Sequence, residues 1–251
     1  MKKGLIILLV IGLAACLLVG CDVTTPGGNG IAEGEGEGEG ETVDRVVLVE
    51  FFTVGCANCI VAEPIIEGLA DEYDRTKMIL VEEGPWGTPI TPGANDRYEW
   101  YLPNSVDRST PNTCYNGSNQ ILHHGSALYA FKSPIVNELA KDSEISITVT
   151  RSDNNGTTTL TGKIKNLSTS TINDLVINGM TFRDHFASGE RYLVKDIFKG
   201  VEEVGENLEA GAEQSFTFTL EDVQWEVHDL HGVVFVQSSS TKEVFQALYI
   251  E

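Results

Sequence analysis

The feature that most constrains this chain is an apolar strand pattern that leads directly into a pair of cysteines. Within residues 45–52, Val46, Val47, Leu48, Val49, Phe51 and Phe52 make an almost unbroken apolar run. Such a run leaves no side for solvent, so it predicts a strand covered on both faces, as in the middle of a mainly parallel sheet. Cys56-Ala57-Asn58-Cys59 comes next, then a helical stretch to about residue 73, then a second apolar strand over 78–81. Cysteines one turn apart at a helix start carry a defined chemistry. The helix N-terminus favours the first sulfur as a thiolate, and the second sulfur can attack a disulfide formed on the first.

Three further features belong to the same pattern. Glu50 interrupts the apolar strand, where a lone carboxylate is costly and calls for a reason. Pro64 falls inside the helix and predicts a kink. In Ser109-Thr110-Pro111-Asn112-Thr113-Cys114-Tyr115-Asn116-Gly117, a proline enters a strand that ends in an Asn-Gly turn.

With these residues in place, 45–140 resembles the thioredoxin fold. Leu48-Val49-Glu50-Phe51-Phe52 followed by Cys56-Ala57-Asn58-Cys59 is similar to the active-site segment of thioredoxins and DsbA-type disulfide oxidoreductases. The resemblance implies that Glu50 assists proton transfer and that Pro111 is a cis-proline facing the cysteines. It also implies that Thr110 and Pro111 hold the substrate strand. Gly55 stands where thioredoxins carry an aromatic residue, and Ala57-Asn58 is neither the Gly-Pro of thioredoxin nor the Pro-His of DsbA.

Cys114, on a strand close behind Pro111, reads as a buried inert thiol, with exchange against the Cys56 and Cys59 pair as the alternative. His123 and His124 are adjacent and lack the paired spacing of zinc modules, so no metal and no cofactor is expected. His228 and His231 read as loop residues at a strand entry. The stretch 83–104 begins as a Gly- and Pro-rich loop and continues as a short helix over 96–102 bearing Tyr98, Trp100 and Tyr101. That helix either packs on the sheet or covers the cysteines.

From residue 144 the hydrophobic period becomes two. Ile145, Ile147 and Val149 alternate with Ser146, Thr148 and Thr150, the first of about seven such segments up to residue 250 with turn residues between them. This predicts an immunoglobulin-like sandwich. It contains no nucleophile-base spacing or phosphate loop, and Asp184-His185 reads as a surface pair. The expected fold class is therefore an α/β thioredoxin-like domain plus an all-β immunoglobulin-like sandwich.

At the N-terminus, Lys2 and Lys3 precede an uncharged stretch over 4–20, the layout of a secretory signal. Leu18-Val19-Gly20-Cys21 resembles the lipobox of bacterial lipoproteins, which implies lipidation of Cys21. Leu13-Ala14-Ala15-Cys16 also fits the letters, but Asp22 and a polar tether follow Cys21. An uncleaved membrane anchor is the plainer alternative. The Glu-Gly alternation over 33–41 has no aromatic residue and predicts a solvated spacer. A net charge of −20 without a basic stripe argues against nucleic acid as a partner.

These readings divide the chain into a signal peptide (1–20), an acidic tether (21–44), a thioredoxin-like domain (45–141) and a sandwich (142–251). That order, with the tail segments Gly232-Val233-Val234-Phe235-Val236-Gln237 and Lys242-Glu243-Val244-Phe245-Gln246-Ala247, also resembles bacterial outer-membrane-associated lipoproteins. The expected function is a membrane-tethered, extracytoplasmic thiol-disulfide oxidoreductase. Cys56 would be the nucleophile, Cys59 the resolving thiol and Glu50 the proton acceptor, with Thr110 and Pro111 binding substrate. Its partners would be protein thiols or disulfides, a redox partner and, through the lipid, the membrane. The competing expectation is a non-enzymatic surface lipoprotein with a static Cys56–Cys59 bond and a binding sandwich.

Overall fold

Strand β1 (Val47–Phe52) is buried along its whole length, as its apolar run requires, and each of its faces meets a different layer. The computed structural model describes residues 42–87, 90–122, 128–185, 190–199 and 207–251. Cys16, Cys21, the signal segment and nearly all of the tether lie outside the described residues, as do His123 and His124.

After β1 come helix α1 (Ala57–Glu72), strand β2 (Met78–Glu83) and helix α2 (Ala94–Tyr101). A 3-10 turn (Ser105–Asp107), the hairpin β3 (Asn112–Tyr115) and β4 (Asn119–Leu122), and helix α3 (Leu128–Leu139) follow. The remainder is strand: β5 (Ile145–Asn154), β6 (Thr157–Asn166), β7 (Ile172–Asn173), β8 (Leu175–His185), β9 (Glu190–Lys199), β10 (Asn207–Leu208), β11 (Glu213–Leu220), β12 (Leu230–Ser238) and β13 (Val244–Ile250).

The hairpin turn needs its Asn-Gly sequence. Asn116 and Gly117 have φ of 44° and 69°, and a Cβ on Gly117 would lie 1.8 Å from the Lys242 carbonyl oxygen. Only glycine combines that backbone conformation with so close an approach.

Eight strands form one mixed sheet in the order β13-β12-β8-β9-β2-β1-β3-β4. β1 runs parallel to β2 and antiparallel to β3. The period of two sends Val47, Val49 and Phe51 to one side, where Ala62, Ile66 and Leu69 of α1 and Phe131 and Ile135 of α3 cover them. Leu48 points the other way and packs with Ile79, Val81, Met180, Phe182, Val233 and Phe235. The sheet coils enough to bring β13 back beside the chain entering β1. Arg45 donates to the Val244 and Phe245 carbonyl oxygens, and the Val46 amide donates to Gln246 Oε1 at 2.9 Å. Sheet β11-β6-β5 covers the outer face of β8 and β12, where Ile145, Leu160, Ile164 and Phe218 meet Ile177, Val234 and Val236.

This architecture corrects the expected fold class. The described residues are mostly strand, with three α-helices, and they do not form an α/β thioredoxin-like domain with an immunoglobulin-like sandwich appended. Of the strands read as the sandwich, β8, β9, β12 and β13 join the sheet that holds β1 to β4. The junction is one parallel pairing, Glu82 opposite Leu193, reinforced by the core around Phe182 and Phe235. Only β5, β6 and β11 form the facing sheet, while β7 and β10 pair separately. The physical reason lies in β12. Val233 and Phe235 are buried on one face and Val234 and Val236 on the other, so this strand lies between two layers. The described residues form one compact unit.

Candidate functional site

Cys56 and Cys59 are joined by a disulfide, with Cα atoms 4.9 Å apart. Cys56 is the N-cap of α1, and its Sγ accepts a hydrogen bond from the Cys59 amide at 3.1 Å. Gly55 precedes it at φ 66°, a left-handed conformation that an aromatic residue there would adopt only under strain. The two sulfurs differ in access. Cys56 is partly exposed, with Ala57 and Asn58 exposed beside it, whereas Cys59 is fully buried. When the pair is reduced, the amides of the first helical turn point at Cys56 Sγ, a placement that favours a thiolate there.

The Thr110-Pro111 segment lies against Cys56. The peptide bond between them is cis, the Thr110 carbonyl oxygen is 3.5 Å from Cys56 Sγ, and Thr110 Oγ1 is 3.9 Å from it. Tyr98 braces this segment from below. Its hydroxyl donates to the Ser109 carbonyl oxygen and accepts from Asn112 Nδ2 at 3.2 Å. Trp86 packs on the Tyr98 ring at 5.4 Å, and the next residue, Gly87, sits against Val54. Ile60, one turn into the helix, and Trp86 remain exposed.

Glu50 is fully buried on the β1 face opposite α1 and α3, across from Cys114 on β3. Its Oε1 accepts from Arg97 Nε, and its Oε2 accepts from the Tyr101 hydroxyl at 2.6 Å. Gln237 of β12 completes the group, donating to the Tyr101 hydroxyl at 2.8 Å and accepting from Arg97 at 3.3 Å. Burial works against a charge on Arg97, but Glu50 and Tyr101 outweigh it and hold the guanidinium firmly protonated. Glu83 lies buried nearby. Burial, and then the Glu50 charge, pushes its carboxyl well above the usual range. Cys114 is free and buried, and its thiol is likewise pushed well up, by burial first and the Glu50 charge second.

The structure thus brings Cys56, Cys59, Thr110 and Pro111 together. It places Glu50 in a neighbouring polar cluster whose hydrogen bonds go to Arg97 and Tyr101. The aromatic helix of the sequence reading is α2, and Tyr98 and Tyr101 pack it onto the sheet at Phe52. Arg97 was not singled out from the sequence, although a signal existed: it precedes Tyr101 by one helical turn, and a buried Glu50 demands a cation. Asp184 is half-buried and pairs with Arg75 and Arg191. His231 Nδ1 bonds the Tyr249 hydroxyl at the start of β12. Among the described residues no helix is long and apolar enough to cross a membrane.

No protein-family model and no curated protein matches this chain. Among solved structures it is similar to HBP35 of Porphyromonas gingivalis, with a TM-score of 0.61 and 15% identity over 83% of this chain and 75% of that one. It is also similar to protein AGR_C_4864 of Agrobacterium tumefaciens, with a TM-score of 0.55 and 12% identity over 84% of this chain and 95% of that one. At such identities the likeness concerns the fold, and it extends across both the cysteine-bearing half and the strand-rich half.

Proposed function

We propose that the chain is a thiol-disulfide exchange protein, held by a lipid on Cys21 to the extracytoplasmic side of a bacterial membrane. The observation that carries this reading is the asymmetry of the cysteine pair. Cys56 is accessible at a helix N-terminus beside Thr110 and the cis-proline, and Cys59 is buried one turn behind it. Starting from the reduced pair, the Cys56 thiolate attacks a substrate disulfide. One bond forms between Cys56 and the substrate, and the substrate's other sulfur leaves as a thiolate. Cys59 then loses its proton and attacks Cys56 Sγ, which closes the Cys56–Cys59 bond and releases the second substrate thiolate. Two electrons pass to the substrate. Run backwards, a substrate thiolate attacks Cys56 and the substrate is oxidised.

The half-buried Thr110 beside Cys56 and the exposed, apolar Ile60 suit an extended polypeptide, so protein thiols and disulfides are the substrate class. Glu50 contributes by fixing Arg97 and Tyr101, hence α2 and the Tyr98 brace under Thr110. The direct test is exchange between the purified chain, held reduced by dithiothreitol, and a model disulfide protein, followed by the disappearance of its disulfides. The wild type should catalyse exchange and Cys56→Ser should not. Exchange no faster than with Cys56→Ser would leave a static disulfide in a binding lipoprotein. Incorporation of labelled fatty acid into the wild type and its loss in Cys21→Ser test the anchor.

A further inference from the structure

Away from the cysteine pair, Glu63, Glu67 and Glu82 each bring one carboxylate oxygen to within 4.8 Å of the other two. Glu63 and Glu67 are one turn apart on α1, so they project from the same side of that helix. Glu82 lies opposite Phe51 in the β1–β2 register, on the sheet face that α1 covers. Three acids therefore converge between a helix and a strand that pack together.

Carboxylates crowd on many protein surfaces with no ligand, and the distinguishing observation here is the state of Glu82. Its residue is 4% exposed, and Oε1 is buried without a hydrogen-bond partner among the described residues. Arg191, whose charge reaches Glu67 and Glu82, is shared with Asp71 and Asp184. Burial raises the carboxyl of Glu63. Burial first, and then the neighbouring acids, raise those of Glu67 and Glu82, as expected of a cluster short of positive charge. A buried, unpartnered carboxylate facing two others is the donor set of a hard cation.

We propose that Glu63, Glu67 and Glu82 form a calcium site that pins helix α1 to strand β2. Oxygen donors alone select calcium, magnesium or manganese over softer metals. Size separates the first two. With Ca–O distances of about 2.3–2.6 Å, ligands on opposite sides of the ion stand about 4.6–5.2 Å apart, whereas magnesium allows only about 4.2 Å. Oxygens that all lie within 4.8 Å of one another fall inside the span that the calcium sphere allows, without movement of either element. With three carboxylates and water for the remaining positions, the expected dissociation constant is about 10⁻⁴–10⁻³ M, the range of extracellular calcium modules. The bound ion would steady the helix that carries Cys56 and Cys59.

Calcium chloride is titrated into the full-length chain by calorimetry, and thermal unfolding is followed with and without about 10 mM calcium, well above the expected dissociation constant. The Glu-Gly tether is common to all variants, so any calcium it takes up cancels in the comparison. Calcium should raise the unfolding temperature of the wild type. Glu82→Gln and Glu67→Gln should each bind roughly tenfold or more weakly, since each removes one charged ligand. Without calcium, Glu82→Gln should unfold no earlier than the wild type, because a buried, unpartnered carboxyl has been removed. If Glu82→Gln does not fold, Glu67→Gln, on the partly exposed helix face, decides. An unchanged wild type, equal calcium shifts in wild type and variants, or a magnesium shift as large as the calcium shift would each overturn the site.

Discussion

Glu50 and Arg97, 47 residues apart in the chain, form an ion pair whose side chains are 0% and 8% exposed. The pair joins the central strand β1 to helix α2, and through Gln237 it reaches β12. Removing one partner of a buried pair leaves the other charge uncompensated, at a cost of about 3–5 kcal/mol. Arg97→Met should lose stability on that scale in urea unfolding at neutral pH. Arg97→Met combined with Glu50→Leu should recover most of it, because no charge is then stranded. Equal losses in the single and double variants would mean that α2 is held by packing alone.

Phe235 lies at the join of the two halves of the sheet, fully buried among Leu48, Val81, Met180 and Phe182, with the Arg97 guanidinium 5.1 Å from its ring centre. Phe235→Ala should cost about 3–5 kcal/mol through lost burial and the cavity left behind. Because this core contacts β1 and β2 as well as β8 and β12, the whole transition should shift together. A calorimetric trace that splits, with the part carrying the cysteines unmoved, would contradict the shared core.

Glu138 gives the fold an acid sensitivity of known sign. Burial opposes its ionisation, but hydrogen bonds from Lys141, Asn116 and Arg45 outweigh this and hold its carboxyl below the usual value of 4.5. A carboxyl lower in the folded state than in the unfolded chain contributes its full stability above the unfolded value. That stability is lost as pH falls through the folded one. The chain should therefore lose stability on acidification below about pH 4.5, and Glu138→Gln should flatten that limb while being less stable at neutral pH. A limb equally steep in the variant would assign it to other groups.

How much of this was legible in the sequence differs from element to element. The nearly continuous apolar run of β1, broken only by Glu50, announced a strand covered on both faces, and cysteines at a helix start announced the N-cap sulfur, because both are local. The strands of the second half were also legible, since an alternation of two reports a strand wherever it pairs. Their sheet was not. Partner choice is a long-range property, and the one sign of it was Val233-Val234-Phe235-Val236, a run too continuously apolar for a sandwich strand with a solvent face. Arg97 escaped for the same reason. Its role follows from α2 folding back onto β1, which neither segment states alone. The strand read over 78–81 continues to Glu83, and burial of its two acids is imposed by the layers around it.

Cys114 should stay outside the exchange chemistry. Its thiol is buried and pushed well above its ordinary value, so at neutral pH it is protonated and shielded. Under reducing native conditions, alkylation read by mass spectrometry should label Cys56 first and Cys114 only on unfolding. Labelling of Cys114 at a rate near that of Cys56 would bring it into the site.

The central claim, that the cysteine pair turns over on protein substrates, is tested most directly by stranding the intermediate. Cys59→Ser removes the thiol that clears the mixed disulfide on Cys56. Expressed in an oxidising extracytoplasmic compartment, this variant should run on non-reducing gels as a ladder of adducts that collapses with reductant. Cys56→Ser should give far fewer adducts, because Cys59 is fully buried. Folded, exported Cys59→Ser without such a ladder would contradict the exchange reading and leave Cys56–Cys59 as a static bond.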